Sequence, residues 1–233
     1  MNSKYISLIS KTEEKRRKKW QGLISKTLKK IKGGEKIKIL GLEFYLCRGV
    51  FAPLWTDSVI LAKTIEREVK EEDFVLDVGT GIGIQAIFAA KKKAKVIATD
   101  INSKALKCTN QNIKYHKLEN RIEVLKSDLF SSIKNKFDLI IFNPPFRWFQ
   151  PKNILERSVS DKNYQVLTNF FSEAKNYLNK KGRIILVWST SADPKYLQCL
   201  IKEYKYNSKI LKKARTKYDN KYTWEYRVYE LKP

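Results

Sequence analysis

The hydrophobic positions of this chain follow two alternating spacings along its central part. Short apolar runs at 73–79, 94–100 and 137–142 predict buried strands, because the strands of a parallel sheet are covered on both faces. Between these runs, in 84–93 and 102–118, apolar residues recur every three or four positions, which predicts helices. Alternation of strands and helices indicates an α/β fold with a mostly parallel sheet.

The same pattern continues towards the C-terminus. It predicts four more elements, in chain order a strand at 121–128, a helix at 163–182, a strand at 183–189 and a helix at 194–204. Gly182 is expected to stop the long helix. Two last strands, near 207–214 and 222–231, are joined by the short turn YDNK and are expected to form an antiparallel edge.

The first fifty residues have a different pattern. Residues 3–31 predict a helix in which a few apolar side chains are scattered among lysines, and the segment 32–36 (KGGEK) breaks it. A hairpin is expected around Gly41. The helix that follows has Thr56 or Asp57 as its candidate N-cap.

Length and composition indicate one domain with a small appendage. With 233 residues the chain can bury a sizeable core, and we divide it into an extension, 1–52, and a domain, 53–233. No apolar run reaches the roughly 20 residues of a membrane span, and the N-terminus lacks the charge order of a secretory signal, so we expect a cytoplasmic protein. One histidine and three distant cysteines, expected to be free thiols, argue against a metal site.

Positive charge is concentrated at the two ends of the chain. The formal net charge is +24, of which residues 1–38 carry +10 and residues 195–233 carry +7. An AT-rich genome can favour lysine over arginine, but it does not explain why acids fail to balance the bases. The excess predicts contact with RNA or the ribosome, with a merely solvated lysine surface as the alternative.

The first chemical motif is the glycine-rich turn DVGTGIG, which follows one strand and opens a helix. Glycine at 79, 81 and 83 lets the backbone turn tightly and lets a ligand approach the main chain. The next strand ends in Asp100, where an acid of a doubly wound fold accepts hydrogen bonds from two ribose hydroxyls. Together they predict an adenosine-type ligand, with a structural turn as the alternative.

The second motif is NPPF, residues 143–146, directly after an apolar strand. Two prolines end a sheet ladder because neither has an N–H to donate. The choice indicates that this strand end needs hydrogen-bond acceptors without donors, with an aromatic face beside them.

Together the motifs resemble those of the class I S-adenosylmethionine-dependent methyltransferases, over roughly residues 39–190. DVGTGIG has their GxGxG form with a leading acid, and NPPF resembles the [DN]PP[YF] motif of enzymes that methylate a planar nitrogen. The resemblance implies a Rossmann-like fold with a mostly parallel seven-stranded sheet and an antiparallel C-terminal edge. It also implies S-adenosyl-L-methionine as cofactor and S-adenosyl-L-homocysteine as product.

The resemblance further implies roles for single residues. Asp77 is expected near the methionine amino group and Asp128 near the adenine amino group, although Asp128 can also be a helix cap or a solvated turn. The oxygens of Asn143 and Pro144 are expected to accept hydrogen bonds from a substrate NH2 group, while Phe146 stacks on it. The predicted catalytic residues are Asn143, Pro144 and Phe146. The predicted cofactor-binding residues are Asp77, Gly79, Thr80, Gly81, Gly83, Asp100, Ile101, Asp128, Leu129 and Asn143.

A long loop, 143–162, follows at the expected active face, and loops of this length are usually functional. Its aromatic and basic side chains can grip a base or a peptide, and two aromatic residues upstream can complete a wall. The alternative is that these side chains pack the loop onto the sheet. The predicted substrate-binding residues are Phe51, Trp55, Pro145, Arg147 and Trp148.

The substrate is open between several classes. The segment before DVGTGIG is similar to that of HemK-type enzymes, which methylate a glutamine amide in translation release factors. Phenylalanine in NPPF, where those enzymes usually have tyrosine, and a basic helix in place of their helical domain favour RNA. We therefore predict N-methyl transfer to an exocyclic base amine in rRNA or tRNA, held by the basic ends. A protein glutamine, a small molecule and a non-enzymatic RNA-binding module are the alternatives.

Overall fold

A computed structural model of the protein describes residues 9–217 and 223–233. The strands are β1 (Lys36–Ile39), β2 (Leu42–Tyr45), β3 (Phe74–Val78), β4 (Lys95–Asp100), β5 (Ile122–Lys126), β6 (Phe137–Phe142), β7 (Leu178–Ser189), β8 (Asn207–Lys217) and β9 (Thr223–Lys232). The helices are α1 (Lys11–Lys29), α2 (Thr56–Glu68), α3 (Ile84–Lys91), α4 (Ser103–Tyr115), α5 (Ile154–Arg157), α6 (Gln165–Glu173) and α7 (Pro194–Glu203).

Seven strands form one sheet in the order β5-β4-β3-β6-β7-β9-β8, and β1 and β2 form a separate hairpin. The first five strands of the sheet are parallel, and β9 and β8 continue it as an antiparallel edge. This confirms the predicted fold class. Val78 lies opposite both Thr99 and Phe142, so β3, β4 and β6 end at one level. Residues that directly follow these strands therefore meet at one edge of the sheet.

The core is divided between the two faces of the sheet. Alternate residues of β6 point to opposite faces, with Leu139 and Ile141 in one hydrophobic cluster and Ile140 and Phe142 in the other. The first cluster packs against α2, α3 and α4, and the second against α6 and α7. Coverage of both faces explains why these strands are nearly continuous apolar runs.

The N-terminal elements share the first of these clusters. Leu28 and Ile31 at the end of α1 and Phe44 in β2 are buried there with residues of α2 and α3. The hairpin around Gly41 is confirmed, and α1 lies within the predicted helix, whose first residues, 3–8, lie outside the described part. The division of the chain after residue 52 stays a prediction.

The expectation of three free thiols is wrong. Cys47, which follows β2, forms a disulfide with Cys108 in α4, with Cα atoms 5.9 Å apart, and Cys199 is free and exposed. The pairing was hidden because it depends on how the hairpin packs onto α4. Among these contacts, Tyr45 N–H donates to the Asn112 side-chain oxygen at 2.7 Å.

The predicted helix over 163–182 is also wrong in its second half. α6 ends at Glu173, a 3₁₀ turn follows, and the chain is already extended at Leu178, which pairs with Phe137. Gly182 lies inside β7 rather than at a helix end. A Cβ there would lie 2.7 Å from the Phe137 carbonyl oxygen, so the glycine permits a close backbone approach.

The other C-terminal elements are confirmed, and the turn YDNK lies outside the described residues. At the start of α2 the N-cap is Trp55 rather than Thr56 or Asp57, with no side-chain cap. Thr56 bonds instead to the hydroxyl of Thr216 in β8, at 2.5 Å. Within the described ranges, no helix has the length and apolar character that crossing a membrane requires.

Candidate active site

A cavity of about 940 Å³ opens where β3, β4 and β6 end. This volume is at the upper end of small-molecule sites, so it is large enough for an adenosine-type cofactor and a second group. Most of the predicted site residues line it: Phe51, Trp55, Asp77, Gly79, Thr80, Gly81, Asp100, Ile101, Asp128, Leu129, Asn143, Pro144, Pro145, Phe146 and Arg147. The chain topology thus brings the two motifs to one site.

The glycine-rich turn forms an open cradle on one side of the cavity. Gly79 and Gly81 have φ values of +67° and +61°, and a Cβ on either would meet nothing within 4 Å. That free space lies in front of the backbone, where a ligand can approach. Gly83 does not line the cavity. A Cβ there would lie 3.0 Å from the Thr109 side chain, so the absence of a side chain at this position permits the packing of α3 on α4.

Three acids surround this cradle in different environments. Asp77 is 2% exposed and accepts from the Thr80 hydroxyl at 2.6 Å and the Ala86 N–H at 3.2 Å. Its burial raises the pKa to about 7. Asp100 accepts from Gly81 N–H at 3.0 Å and Asn102 N–H at 2.8 Å, and burial raises its pKa as well.

The third acid, Asp128, is exposed, and its carboxylate lies 3.5 Å from the Arg157 guanidinium. A buried carboxylate, an acid at the end of the neighbouring strand and a cradle without side chains together fit a cationic ligand that carries a ribose. The residues present therefore suit S-adenosylmethionine.

Asn143 directly follows β6, the strand next to β3, and lines the same cavity. Its side-chain nitrogen donates to Asp57 Oδ2 at 2.9 Å and lies 3.4 Å from the Ser58 hydroxyl oxygen. Asp57 is buried, and burial raises its pKa. Pro144 and Pro145 follow with no N–H to donate, and Phe146 packs edge-on against Trp188 with ring centroids 5.7 Å apart. This strand end thus combines an asparagine whose amide nitrogen is bonded, two residues without an N–H and an aromatic ring in the wall of the cavity.

Aromatic side chains from the segment before α2 line the same cavity as the NPPF motif. Phe51 and Trp55 are half-buried and stacked, with centroids 5.5 Å apart and planes 30° apart. Tyr226 of β9 also lines the cavity, and burial raises its pKa to about 12, which keeps the phenol protonated.

The loop 143–162 is more ordered than expected. It contains the short helix α5 and a bridge between Arg147 and Ser160. The Arg147 guanidinium is buried and donates to the carbonyl and hydroxyl oxygens of Ser191 at 2.9 and 3.1 Å. Trp148 lies in the core against Tyr164 and does not line the cavity. Trp148 thus shows the packing alternative, whereas Arg147 packs against β7–α7 residues and also lines the cavity, so its role in binding substrate stays a prediction.

α1 contributes to the cavity, which the sequence did not indicate. Trp20 and Ile24 line it, and Trp20 packs edge-on against Trp224 at 5.3 Å. Arg17 anchors the helix by donating to the carbonyl oxygens of Ala192 at 2.6 Å and Thr190 at 3.3 Å. The buried positions of α1 are largely polar, so its hydrophobic pattern was too weak to reveal this contact.

Asp57, Ser58 and Tyr226 were also missed. Each lies far from NPPF in sequence: Asp57 and Ser58 meet Asn143 across 86 and 85 residues, and Tyr226 contacts Phe146 from β9. An acid next to a serine in the first turn of a helix looks like an ordinary cap.

Comparison with known proteins places these observations in a family. Residues 41–218 match the Methyltransferase small domain model. A Methanocaldococcus jannaschii protein, provisionally named as a protein N5-glutamine methyltransferase, is 35% identical over 66% of this chain and 79% of its own. Ribosomal RNA small subunit methyltransferase C of Haemophilus influenzae is 35% identical over 64% of this chain but only 42% of its own.

Among solved structures, a T. thermophilus 16S rRNA N2 G1207 methyltransferase in complex with AdoMet and guanosine has a TM-score of 0.60. It is 21% identical and is matched over 84% of this chain and 49% of its own length, so the likeness shows the fold. The resemblance found in the sequence is confirmed at the level of family, fold and enzyme class.

Proposed function

The chain belongs to the Methyltransferase small domain family, and on that premise we propose that it methylates an exocyclic base amine in RNA. Asn143 carries the proposal. Its amide nitrogen is held by Asp57, so its oxygen is left as an acceptor beside two prolines that have no N–H. A site of this kind selects a nitrogen that carries hydrogens to donate.

The cofactor half of the site holds S-adenosylmethionine in this proposal. Gly79 and Gly81 give the backbone room to approach it, Asp100 accepts from the ribose, and Asp77 offers a carboxylate to its cationic end. When bound, the cofactor supplies a methyl group attached to a positively charged sulfur. Ile101 and Leu129, which line the cavity, would form the wall against the adenine, and Asp128 lines the cavity as an exposed side chain next to Arg157.

The substrate half orients the nitrogen that accepts the methyl group. A base amine has its lone pair delocalised into the ring and is a poor nucleophile. Hydrogen bonds from its N–H groups to the Asn143 side chain and the Pro144 carbonyl align the lone pair and stabilise positive charge as the new N–C bond forms. One N–H proton is released to water after transfer. Phe146 and the Phe51–Trp55 pair offer ring faces to a base flipped into the site.

The position of the basic segments favours RNA as the substrate. Exposed lysines of α1 and its C-cap are Lys11, Lys15, Lys18, Lys19, Lys26, Lys29 and Lys30, and exposed cations of β8 are Lys209, Lys212, Lys213, Arg215 and Lys217. Arg17 of α1 bonds to Thr190, which shares a surface hollow with Arg215 and Lys217. From this contact we infer that the two basic segments form one basic rim next to the cavity that Trp20 lines, where their cations can hold phosphates.

A glutamine side chain in a protein is the second candidate. The M. jannaschii relative, named for glutamine methylation, is matched over 79% of its length. A carboxamide presents the same NH2 group to Asn143 as a base amine does. The NPPF geometry alone suits both substrates.

The deciding experiment is transfer of tritiated methyl from S-adenosylmethionine into total RNA and total protein from a strain that lacks the gene. We expect label in one RNA size class, with the Asn143→Ala enzyme as background. Label in one protein, with none in RNA, would replace the RNA proposal by the glutamine one. Label in neither pool, from an enzyme that still binds the cofactor, would contradict both.

A further inference from the structure

The orientation of the Asn143 amide is fixed by a residue outside both sequence motifs. An asparagine side chain can present either its oxygen or its NH2 group to the cavity, with opposite consequences for a substrate amine. The 2.9 Å contact to Asp57 resolves this choice, because an ionised carboxylate only accepts hydrogen bonds. The amide nitrogen therefore faces Asp57, and the oxygen is free to face a substrate.

Asp57 is itself held in place. It is 5% exposed at the start of α2. Burial raises its pKa, while hydrogen bonds from the Asn143 side chain and from the backbone N–H groups of residues 57 and 58 act in the opposite direction and favour the ionised form. The Ser58 hydroxyl lies 3.4 Å both from Asp57 Oδ2 and from the Asn143 side-chain nitrogen. Gln85 of α3 donates to the Ser58 carbonyl at 3.1 Å, which ties the beginning of α2 to the helix behind the glycine-rich turn.

We propose that Asp57 is the positioning residue of this active site, which with Ser58 locks Asn143 with its oxygen towards the substrate. The inference rests on the proposed role of Asn143 in N-methyl transfer. It also explains a buried carboxylate at a position that is not the N-cap of α2, which is Trp55.

The fixed orientation of the Asn143 amide has a consequence for substrate specificity. With its oxygen facing the cavity, Asn143 accepts from an N–H donor and offers nothing to a ring nitrogen or a carbonyl oxygen. A substrate amine or carboxamide matches this arrangement, whereas a group with only lone pairs meets an acceptor without a partner. Asp57 thereby contributes to the choice of substrate atom through Asn143.

The proposal is tested by exchanging the carboxylate and the amide between positions 57 and 143, first singly and then together. In Asp57→Asn, the new side chain can present either its oxygen or its NH2 group to Asn143, so the orientation of the Asn143 amide is no longer fixed. We expect kcat to fall about 100-fold, as for a reacting group that is misplaced by a small distance. In Asn143→Asp, two carboxylates face each other, and we expect a similar loss. The double variant restores one N–H to carboxylate bond with its direction reversed and keeps an acceptor for the substrate. We expect its kcat to exceed that of either single variant by about tenfold or more.

Two controls separate this from damage to the fold. Glu66→Gln removes an exposed carboxylate from the same helix and is expected to leave kcat unchanged. The affinity of the Asp57→Asn enzyme for S-adenosylmethionine should stay within about threefold of the wild type, because Asp57 faces Asn143 and not the glycine-rich turn.

A second measurement does not depend on any substrate. The side-chain NH2 protons of Asn143, assigned in ¹⁵N spectra by their loss in Asn143→Asp, should be protected from solvent exchange in the wild type and lose that protection in Asp57→Ala. Protection that survives in Asp57→Ala would overturn the inference, as would a double variant no more active than the weaker single one. If protection depends on Asp57 while Asn143→Ala retains full turnover, the proposed function fails and the hydrogen bond stands.

Discussion

The two halves of the cavity are built in different ways. The cofactor half is assembled from neighbours in sequence: Thr80 bonds to Asp77 three residues away, and Gly81 to Asp100 nineteen residues away. The substrate half is assembled across the chain. Asn143 meets Asp57 at a separation of 86 residues, and Arg17 meets Ala192 at a separation of 175.

This difference determines how each half responds to change. In the cofactor half the backbone carries the geometry, through positive φ at the glycines and the common level of the strand ends. In the substrate half, separate side chains must come together for the site to form. They are Trp20 of α1, Asp57 of α2, Asn143 after β6 and Tyr226 of β9. Substitutions should therefore separate the two halves, with effects on cofactor affinity in one and on turnover or substrate affinity in the other.

The largest effect is expected from Asn143→Ala. Without the amide oxygen, the substrate nitrogen is no longer oriented, and kcat should fall by about 100- to 1,000-fold, as on loss of a preorganised hydrogen-bond partner. Cofactor affinity should remain close to the wild-type value. Single-turnover methyl transfer together with calorimetric titration of S-adenosylmethionine measures both. A fall in cofactor affinity comparable to the loss of kcat would mean that the two halves are not separable.

The basic rim gives the next effect. Lys19, Lys26 and Lys30 are exposed along α1 and its C-cap, and their replacement by glutamate should raise KM for RNA without changing kcat. If all three lysines contact phosphates, the slope of the logarithm of the RNA association constant against the logarithm of salt concentration should fall by about 3 in magnitude.

The matched control for the rim is reversal of the exposed lysines Lys91 and Lys92 at the end of α3. An equal rise in KM from this pair would show that general charge, and not the rim, attracts RNA. Removal of α1 as a whole is a poorer test, because Arg17, Trp20 and Leu28 also stabilise the fold.

The same division explains what the sequence could predict. The fold, the glycine-rich turn and NPPF follow from local patterns, because strand spacing, glycine conformations and proline chemistry are local properties. The roles of Trp148 and Arg147 could not be predicted, since an aromatic or basic residue in a loop looks alike whether it faces a ligand or the core. Asp57 and the disulfide depend on tertiary packing that no local pattern encodes. The prediction of one helix over 163–182 was wrong in its second half, because apolar residues at helical spacing continue into the segment that forms β7.

A smaller effect is expected from Asp100→Ala in the cofactor half. Loss of hydrogen bonds between a carboxylate and the ribose should cost about 1.5–3 kcal/mol, or roughly 10- to 100-fold in cofactor Kd. Asp128→Ala is the matched comparison. Because Asp128 is exposed and next to Arg157, its removal should change Kd by less than about threefold. Equal losses of cofactor affinity in the two variants would show that Asp128 helps to hold the adenine in spite of its exposure.

The smallest effect is a pH dependence that belongs to the cofactor half alone. Burial raises the pKa of Asp77 to about 7, so the folded protein binds this proton more tightly than the unfolded chain. The contribution of Asp77 to stability is therefore largest at low pH and is lost as pH rises through 7. Affinity for the cationic cofactor has the opposite sign, because it requires the ionised carboxylate.

Between pH 8 and pH 6 the Kd for S-adenosylmethionine should rise by up to about tenfold, the limit for one proton over one pH unit below the pKa. Calorimetry at both pH values measures it, and Asp77→Asn should lose most of the slope, keeping only the part that belongs to Asp100. The substrate half offers the contrast: Asn143→Ala should keep the wild-type slope in full. A wild-type Kd that is equal at pH 6 and pH 8 would show that Asp77 keeps its charge state on binding, and would place the recognition of the cofactor's positive charge on other groups.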